Sequence, residues 1–361
     1  MADDFGYHID HHGSLVRPAE LLAARAGADP RALAEAERDA VTAIVHVQRR
    51  LGLSAVGDGQ LRRAYVESVV HDGVDGFGTP EAENPLAQLA GIPSGRRRSV
   101  AGTPVAKGRL AEHEASLVLA TTQRPVFVTL PSPGYLAVAG GTADSSSLAA
   151  AEQVGPALAG IIRQEAAALA AQGVVYVPLA NPLYAPLLTV AGRHQLRAAG
   201  LDVDAALELM ARVDDAVFDG LDVPDDFRLG LDLTDSGPLP TTDKGWDLAS
   251  LHRLLDGTRF RRICVDFPRD PQARLPLHEV KPGLVVSLGV VDVTDPAEES
   301  VEELLPLCDA AVEVRGTDDV AISTNAGFAQ AASDGRLSAE QQKAKLRLVE
   351  TLARYYWGNE I

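Results

Sequence analysis

Eight short apolar runs, each separated from the next by a longer polar or amphipathic stretch, constrain this chain more than any other feature. They are Gly13 to Val16, Leu53 to Asp58, Val126 to Leu130, Val174 to Leu179, Leu229 to Leu233, Ile263 to Phe267, Leu284 to Val293 and Val320 to Ser323. Most are rich in Val, Ile and Leu, the pattern of parallel strands covered on both faces. The segments between them read as helices. Asp29-Pro30 supplies an N-cap with Pro at the first helical position. Val41, Ile44, Val45, Gln48 and Leu51 then fall on one face, and Gly52 closes the helix. Residues 148 to 172 repeat the pattern up to Gly173. Asp204, Asp247 and Ser338 are further N-cap candidates, and Ser338 to Gln341 has capping-box spacing. Strands alternating with helices predict an α/β fold, either a doubly wound sheet or a (β/α)8 barrel. Eight strands and no Gly-rich dinucleotide turn favour the barrel. With no repeat and no low-complexity linker, residues 1 to 361 read as one domain, with an irregular excursion around 80 to 122.

Charge and composition narrow the function classes. The chain has 33 Lys plus Arg and 50 Asp plus Glu, a formal charge of −17. Such a surface repels polyanions, so nucleic acid is not expected as a partner. No apolar run reaches membrane-spanning length, so no membrane association is expected. The N-terminus, MADDFGYHIDHHGS, lacks the basic start and apolar stretch of a signal peptide. Two cysteines, Cys264 and Cys308, cannot form a disulfide framework or a Cys-rich zinc site, and a reducing cytoplasm is the expected location. Oligomeric state leaves no mark in the sequence.

In a barrel the reacting groups sit where strands end and βα loops begin. That rule selects His11, His12, Ser14 and Arg17 from the first strand region, and Asp58, Gln60, Arg62 and Arg63 from the second. Ser132 and Tyr135 follow the third, and Asn181 and Tyr184 the fourth. Asp232, Thr234, Asp235 and Ser236 follow the fifth, Asp266 and Arg269 the sixth, Asp292 the seventh, and Thr324 and Asn325 the eighth. Plainer readings stand beside these. His12 is a scaffold residue, Arg96 to Arg98 a solvated loop, Cys264 a small core residue, and Tyr355 to Trp357 the packing face of a terminal helix. Ser323 and Thr324 satisfy local backbone groups. Asp232 and Asp266, expected side by side on neighbouring strands, would form an acid/base pair in which one pKa is raised.

These segments carry a resemblance. DHHGSLVRP (10 to 18), LSAVGDGQLRRAYVESVVHDGVDGF (53 to 77), TLPSPGYL (129 to 136), VYVPLANPLYA (175 to 185), VSLGVVDV (286 to 293), STNAGFA (323 to 329) and LSAEQQKAKLRLVETLARYYWG (337 to 358) resemble, in register, the single-domain relatives of cobalamin-independent methionine synthase. The resemblance implies their (β/α)8 barrel and their reaction, transfer of a methyl group from a donor such as a methyl-folate to a zinc-bound thiolate. At the positions of the family's zinc ligands this chain has Asp232, Thr234, Asp266 and Ala326, a set unsuited to a soft zinc–thiolate centre. No metal cofactor is therefore expected; a hard cation on Asp232 and Asp266 is the lesser alternative. The acids that hold the family's substrate ammonium are replaced at Gln60 and Asn181, whereas Gly13 and Ser14, which meet the substrate carboxylate, are kept, with Arg17 nearby.

The expectation is an enzyme acting without zinc on a small anionic, carboxylate-bearing substrate by methyl or alkyl transfer. His11, Asp232 and Asp266 are the catalytic candidates. Gly13, Ser14, Arg17, Asp58, Gln60, Ser132, Asn181, Tyr184, Thr234 and Asn325 are the substrate-binding candidates. A lyase or isomerase using the same acids, and a non-catalytic ligand-binding relative, are the alternatives. Methyl transfer to homocysteine itself is weaker than either.

Overall fold

The computed structural model of the chain describes residues 7–11, 13–80, 98–141, 148–234, 245–329 and 336–358. Strands β1 (Val74–Pro80) and β2 (Arg98–Ala106) form an antiparallel pair. The other strands, all parallel, build the centre: β3 (Val126–Phe127), β4 (Leu130–Pro131), β5 (Val174–Ala180), β6 (Arg228–Asp232), β7 (Arg262–Asp266), β8 (Val285–Val291) and β9 (Val320–Thr324). Their order is β3-β5-β6-β7-β8-β9, with β4 also pairing with β5. Single parallel bridges extend both ends, Ile9 on Ile322 of β9 and Val56 on Val126 of β3.

Between the Ile9 and Val56 segments a lone backbone bond, Leu15 N to Gly59 O at 2.9 Å, makes the link. Among the described residues no ladder joins them. The observed architecture is thus a curled parallel sheet, short of the closed (β/α)8 barrel expected from the sequence. The backbone explains the missing ladder. Gly59 and Gln60 both take left-handed conformations, φ 69° and 53°, and turn the second segment out of extended geometry. The first segment pairs at Ile9 rather than at the apolar Gly13 to Val16. That run is instead drawn into the loop after β9, where Phe328 N donates to Ser14 O.

All seven residues of β8 are buried, as a strand covered on both faces requires. Helix Pro30–Leu51 starts where the sequence predicts, Asp29 accepting from Arg31 N at 2.9 Å, and ends on Gly52. Helix Ala149–Gln172 ends on Gly173. Asp247 caps Leu248–Leu255, and capping boxes open Val301–Arg315 (Ser300 with Glu303) and Ala339–Trp357 (Ser338 with Gln341). Helix Val203–Asp215 is capped by Asp202, not by the expected Asp204; the latter's carboxylate is taken by Arg193 and Arg253 instead. No helix among the described residues is long and apolar enough to cross a membrane.

Candidate active site at the carboxyl ends of the strands

The first segment, which makes one bridge to the sheet, is fixed by polar ties through the interior. Arg262 of β7 is 1% exposed; its Nη1 donates to Asp10 Oδ2 at 2.9 Å and its Nη2 to Tyr7 O. One residue on, His11 Nε2 meets Gln48 Oε1 at 2.8 Å, and the imidazole stands edge-on to Phe127 with centroids 4.9 Å apart. Gln48 also pairs with Gly57, Oε1 accepting from its N at 3.0 Å and Nε2 donating to its O at 2.8 Å. Asp10, His11, Phe127, Tyr176 and Cys264 help line a cavity with room for about one water. Cys264 is sealed there beside the Tyr176 hydroxyl, and burial drives its thiol pKa well up, so it is a poor nucleophile.

Higher up, Gly13, Ser14, Asp58 and Gln60 come together. A methyl group placed on Gly13 would lie 1.8 Å from Gln60 Nε2 and 3.2 Å from Thr129 Oγ1, so the Gln60 amide lies directly over Gly13. Ser14 Oγ would meet a side chain at Gly327 at 2.2 Å. Asp58 Oδ1 accepts from Gln60 N at 2.8 Å and holds the turn; its Oδ2 is buried without a hydrogen bond. Burial, reinforced by Glu114 and opposed by Arg63, raises the Asp58 pKa to about 7. Arg17 serves the scaffold here. Nη1 donates to Ala329 O at 2.9 Å, and Nη2 to Gln60 O at 3.1 Å and Arg63 O at 2.8 Å. Arg63 forms a two-point ion pair with Glu114, and Arg62 bonds His113 O.

Ser132, Asn181 and Tyr184 form a separate knot around a residue the sequence reading passed over. Asp214, 1% exposed, accepts from Ser132 Oγ at 2.6 Å, Gly134 N at 2.7 Å, Tyr184 OH at 2.9 Å and Asn181 Nδ2 at 3.3 Å. Asn181 Oδ1 accepts from Leu183 N. Burial raises the Asp214 pKa to about 6 even against these four donors. The hydrogen-bonding capacity of all three residues is thus directed into the wall, not toward a ligand. Tyr135 likewise donates to Glu67 at 2.7 Å.

Asp232 and Asp266 are not paired. Asp232 aligns with Cys264, and its Oδ1 turns back onto Thr234, accepting from N at 2.9 Å and Oγ1 at 2.7 Å. Asp266 sits two residues farther along β7. Its residue is exposed to solvent, although neighbouring protein desolvates the carboxyl. Poor hydration there and the nearby Asp292 raise its pKa to about 7. Asn325 ties β8 to β9, donating to Asp292 Oδ1 and accepting from Val293 N, both at 3.0 Å. Arg269 pairs with Glu299 and Glu303. Ser323 and Thr324 bond local carbonyls, and Trp357 stacks on His8 at 4.3 Å. His12, Asp235, Ser236, Arg96 and Arg97 lie outside the described residues.

No protein-family model matches the sequence. Two relatives from Bacillus subtilis (strain 168), the uncharacterized proteins YxjH and YxjG, are 26% and 25% identical over 97% of this chain and 95% of their own lengths. A B12-independent methionine synthase from Shewanella sp. W3-18-1, solved in complex with selenomethionine, superposes with a TM-score of 0.74 at 16% identity, covering 97% of both chains. The fold is methionine synthase-like. A Listeria monocytogenes protein whose vitamin-B12 independent methionine synthase assignment is provisional gives 0.72 at 20% identity over 98% of both chains. A methyltransferase from Methanosarcina mazei gives 0.52 at 12%, covering 98% of this chain and 95% of that one.

Proposed function

We propose that this protein is a methyl- or alkyl-transferring enzyme that holds a small carboxylate-bearing substrate over Gly13 and Ser14 and exchanges a proton with it through Asp266. We read the curled sheet and its two flanking bridges as the (β/α)8 barrel of the structural neighbours. The reading rests on one observation above all: unspent polar groups gather at the carboxyl ends of the strands. Ser14 Oγ and the Gln60 amide have no partner among the described residues, and Asp266 is accessible with a pKa near neutrality. Groups left unsatisfied in a cleft, with perturbed acids beside them, mark a place where a ligand completes the bonding.

The donor set at the family's zinc positions does not fit that ion. Ala326 offers no donor atom, Asp232 is turned onto Thr234, and Asp266 faces another carboxylate rather than a sulfur or imidazole ligand. In transfer to a thiol, the sulfur attacks the methyl carbon, the S–C bond forms and the bond from carbon to the donor nitrogen breaks. Asp266 takes the thiol proton and returns it to the leaving nitrogen. A base of pKa about 7 facing a thiol of about 8.5 is matched for this exchange. His11, Nε2 bonded to Gln48, stands below as a second proton-carrying group. A methyl-folate is the proposed donor.

The test is incubation of the protein with a methyl-folate and either 4-mercaptobutanoate or homocysteine, the thioether being followed by mass spectrometry. Product from the ammonium-free thiol, lost in Asp266→Asn, is expected. Product from homocysteine alone would return the chain to the ordinary methionine synthase reaction. Deuterium exchange next to the carboxylate without thioether would favour a lyase or isomerase.

A further inference from the structure

Gln60 is the residue in which backbone and side chain both depart from what the fold alone requires. It is the sole non-glycine with positive φ among the described residues, at 53°, and it is 4% exposed. A non-glycine residue held there is strained, and such strain persists where the surroundings impose it. The surroundings are identifiable. Arg17 Nη2 grips Gln60 O, Arg63 N donates to the same oxygen, and Gln60 N is held by Asp58 Oδ1. All three contacts fix the backbone and none uses the side chain. The amide is delivered over Gly13, the one residue type that leaves it room, with Ser14 next in the chain. Among the described residues it makes no hydrogen bond, and Asp58 Oδ2 and Thr129 Oγ1 beside it are buried without one.

The charge around it is balanced against a cation. Four acids, Glu37, Asp58, Glu67 and Glu114, are matched by four arginines, Arg17, Arg25, Arg62 and Arg63. An ammonium placed here would find no net negative charge to hold it. A neutral hydroxyl would find both a donor and an acceptor in the amide. We propose that Gln60 determines specificity by reading an uncharged hydroxyl on the carbon next to the substrate carboxylate, so that the substrate is a 2-hydroxy acid and not an amino acid. This rests on the proposed carboxylate position at Ser14.

Calorimetry with three probes tests it: 2-hydroxy-4-(methylthio)butanoate, methionine and 4-(methylthio)butanoate. The hydroxy acid is expected to bind at least tenfold more tightly than either of the others. Gln60→Glu, which keeps the shape and restores a negative charge, is expected to reverse the order in favour of methionine. Gln60→Ala should make the hydroxy and deoxy probes equal. Methionine binding the unaltered protein as tightly as the hydroxy acid, or an order unchanged in Gln60→Glu, would overturn the hydroxyl assignment while leaving the carboxylate position standing. Failure of all three probes to bind would overturn both.

Discussion

The ion pair between Arg262 and Asp10 gives the sharpest prediction, because it holds the segment that carries His11, Gly13 and Ser14. That segment touches the sheet through one bridge, Ile9 on Ile322, with Asp10 N donating to Ile322 O. Both side chains are almost wholly withdrawn from water, 2% exposed for Arg262 and 8% for Asp10. Replacing Asp10 with Ala leaves a guanidinium that cannot lose its proton, buried against Tyr7 O and the Tyr176 ring. Breaking a buried pair from one side costs about 3–5 kcal/mol, out of a total that for a folded domain is roughly 5–15 kcal/mol. At about 2–4 °C per kcal/mol, the melting temperature should fall by roughly 6–20 °C. Removing both charges is a different experiment. Asp10→Leu with Arg262→Met exchanges the pair for apolar volume and should recover most of the loss, since the desolvation of both ions is also removed. Differential scanning calorimetry on the three proteins at pH 7 measures this. A single substitution costing under about 1 kcal/mol, or a double variant no better than Asp10→Ala, would refute the reasoning.

Further outcomes follow from the same geometry. Asn181→Ala strips a donor from Asp214 and the partner from Leu183 N, so it should cost about 1–3 kcal/mol of stability while leaving probe binding unchanged; Gln60→Ala should do the reverse. Gly13→Ala should fold, because the far end of Gln60 can swing aside, but weaken binding of carboxylate probes more than tenfold. Asp58 and Asp214 have folded pKa values of about 7 and about 6 against a reference of 3.8, so between those limits the folded state holds more protons than the unfolded one. Stability then falls as pH rises through about 4 to 7, by up to roughly 1.4 kcal/mol per pH unit for each group. Urea unfolding at pH 5 and pH 7 should show this slope, and Asp58→Asn should flatten it; an unchanged slope in that variant would place the titration elsewhere.

The parallel sheet was legible because strands buried on both faces must be apolar throughout, as β8 is. Helix starts at Asp29, Asp247 and Ser338 were legible because a capping side chain leaves a local signature. What the sequence hid was direction. Ser132, Asn181 and Tyr184 sit where strands end, but their polar atoms turn toward Asp214, a carboxylate some thirty or more positions away on a helix. The single clue was an acid at the end of the apolar face Ala206, Leu207, Met210, Val213. Gln48 offered the same clue, a polar residue on the buried stripe of helix Pro30–Leu51, and it proves to be the partner of His11. Asp232 and Asp266 looked adjacent because strand spacing suggests it. The register instead sets Asp232 level with Cys264, and the exposed acid's electrostatic neighbour is Asp292.

The most direct measurement is a crystal structure of the protein with 4-(methylthio)butanoate bound. The account predicts the carboxylate within hydrogen-bonding distance of Ser14 Oγ, with the Gln60 amide beside it and the sulfur end turned toward Asp266. A carboxylate seated on Arg269, or a ligand lodged anywhere but the carboxyl ends of the strands, would contradict it.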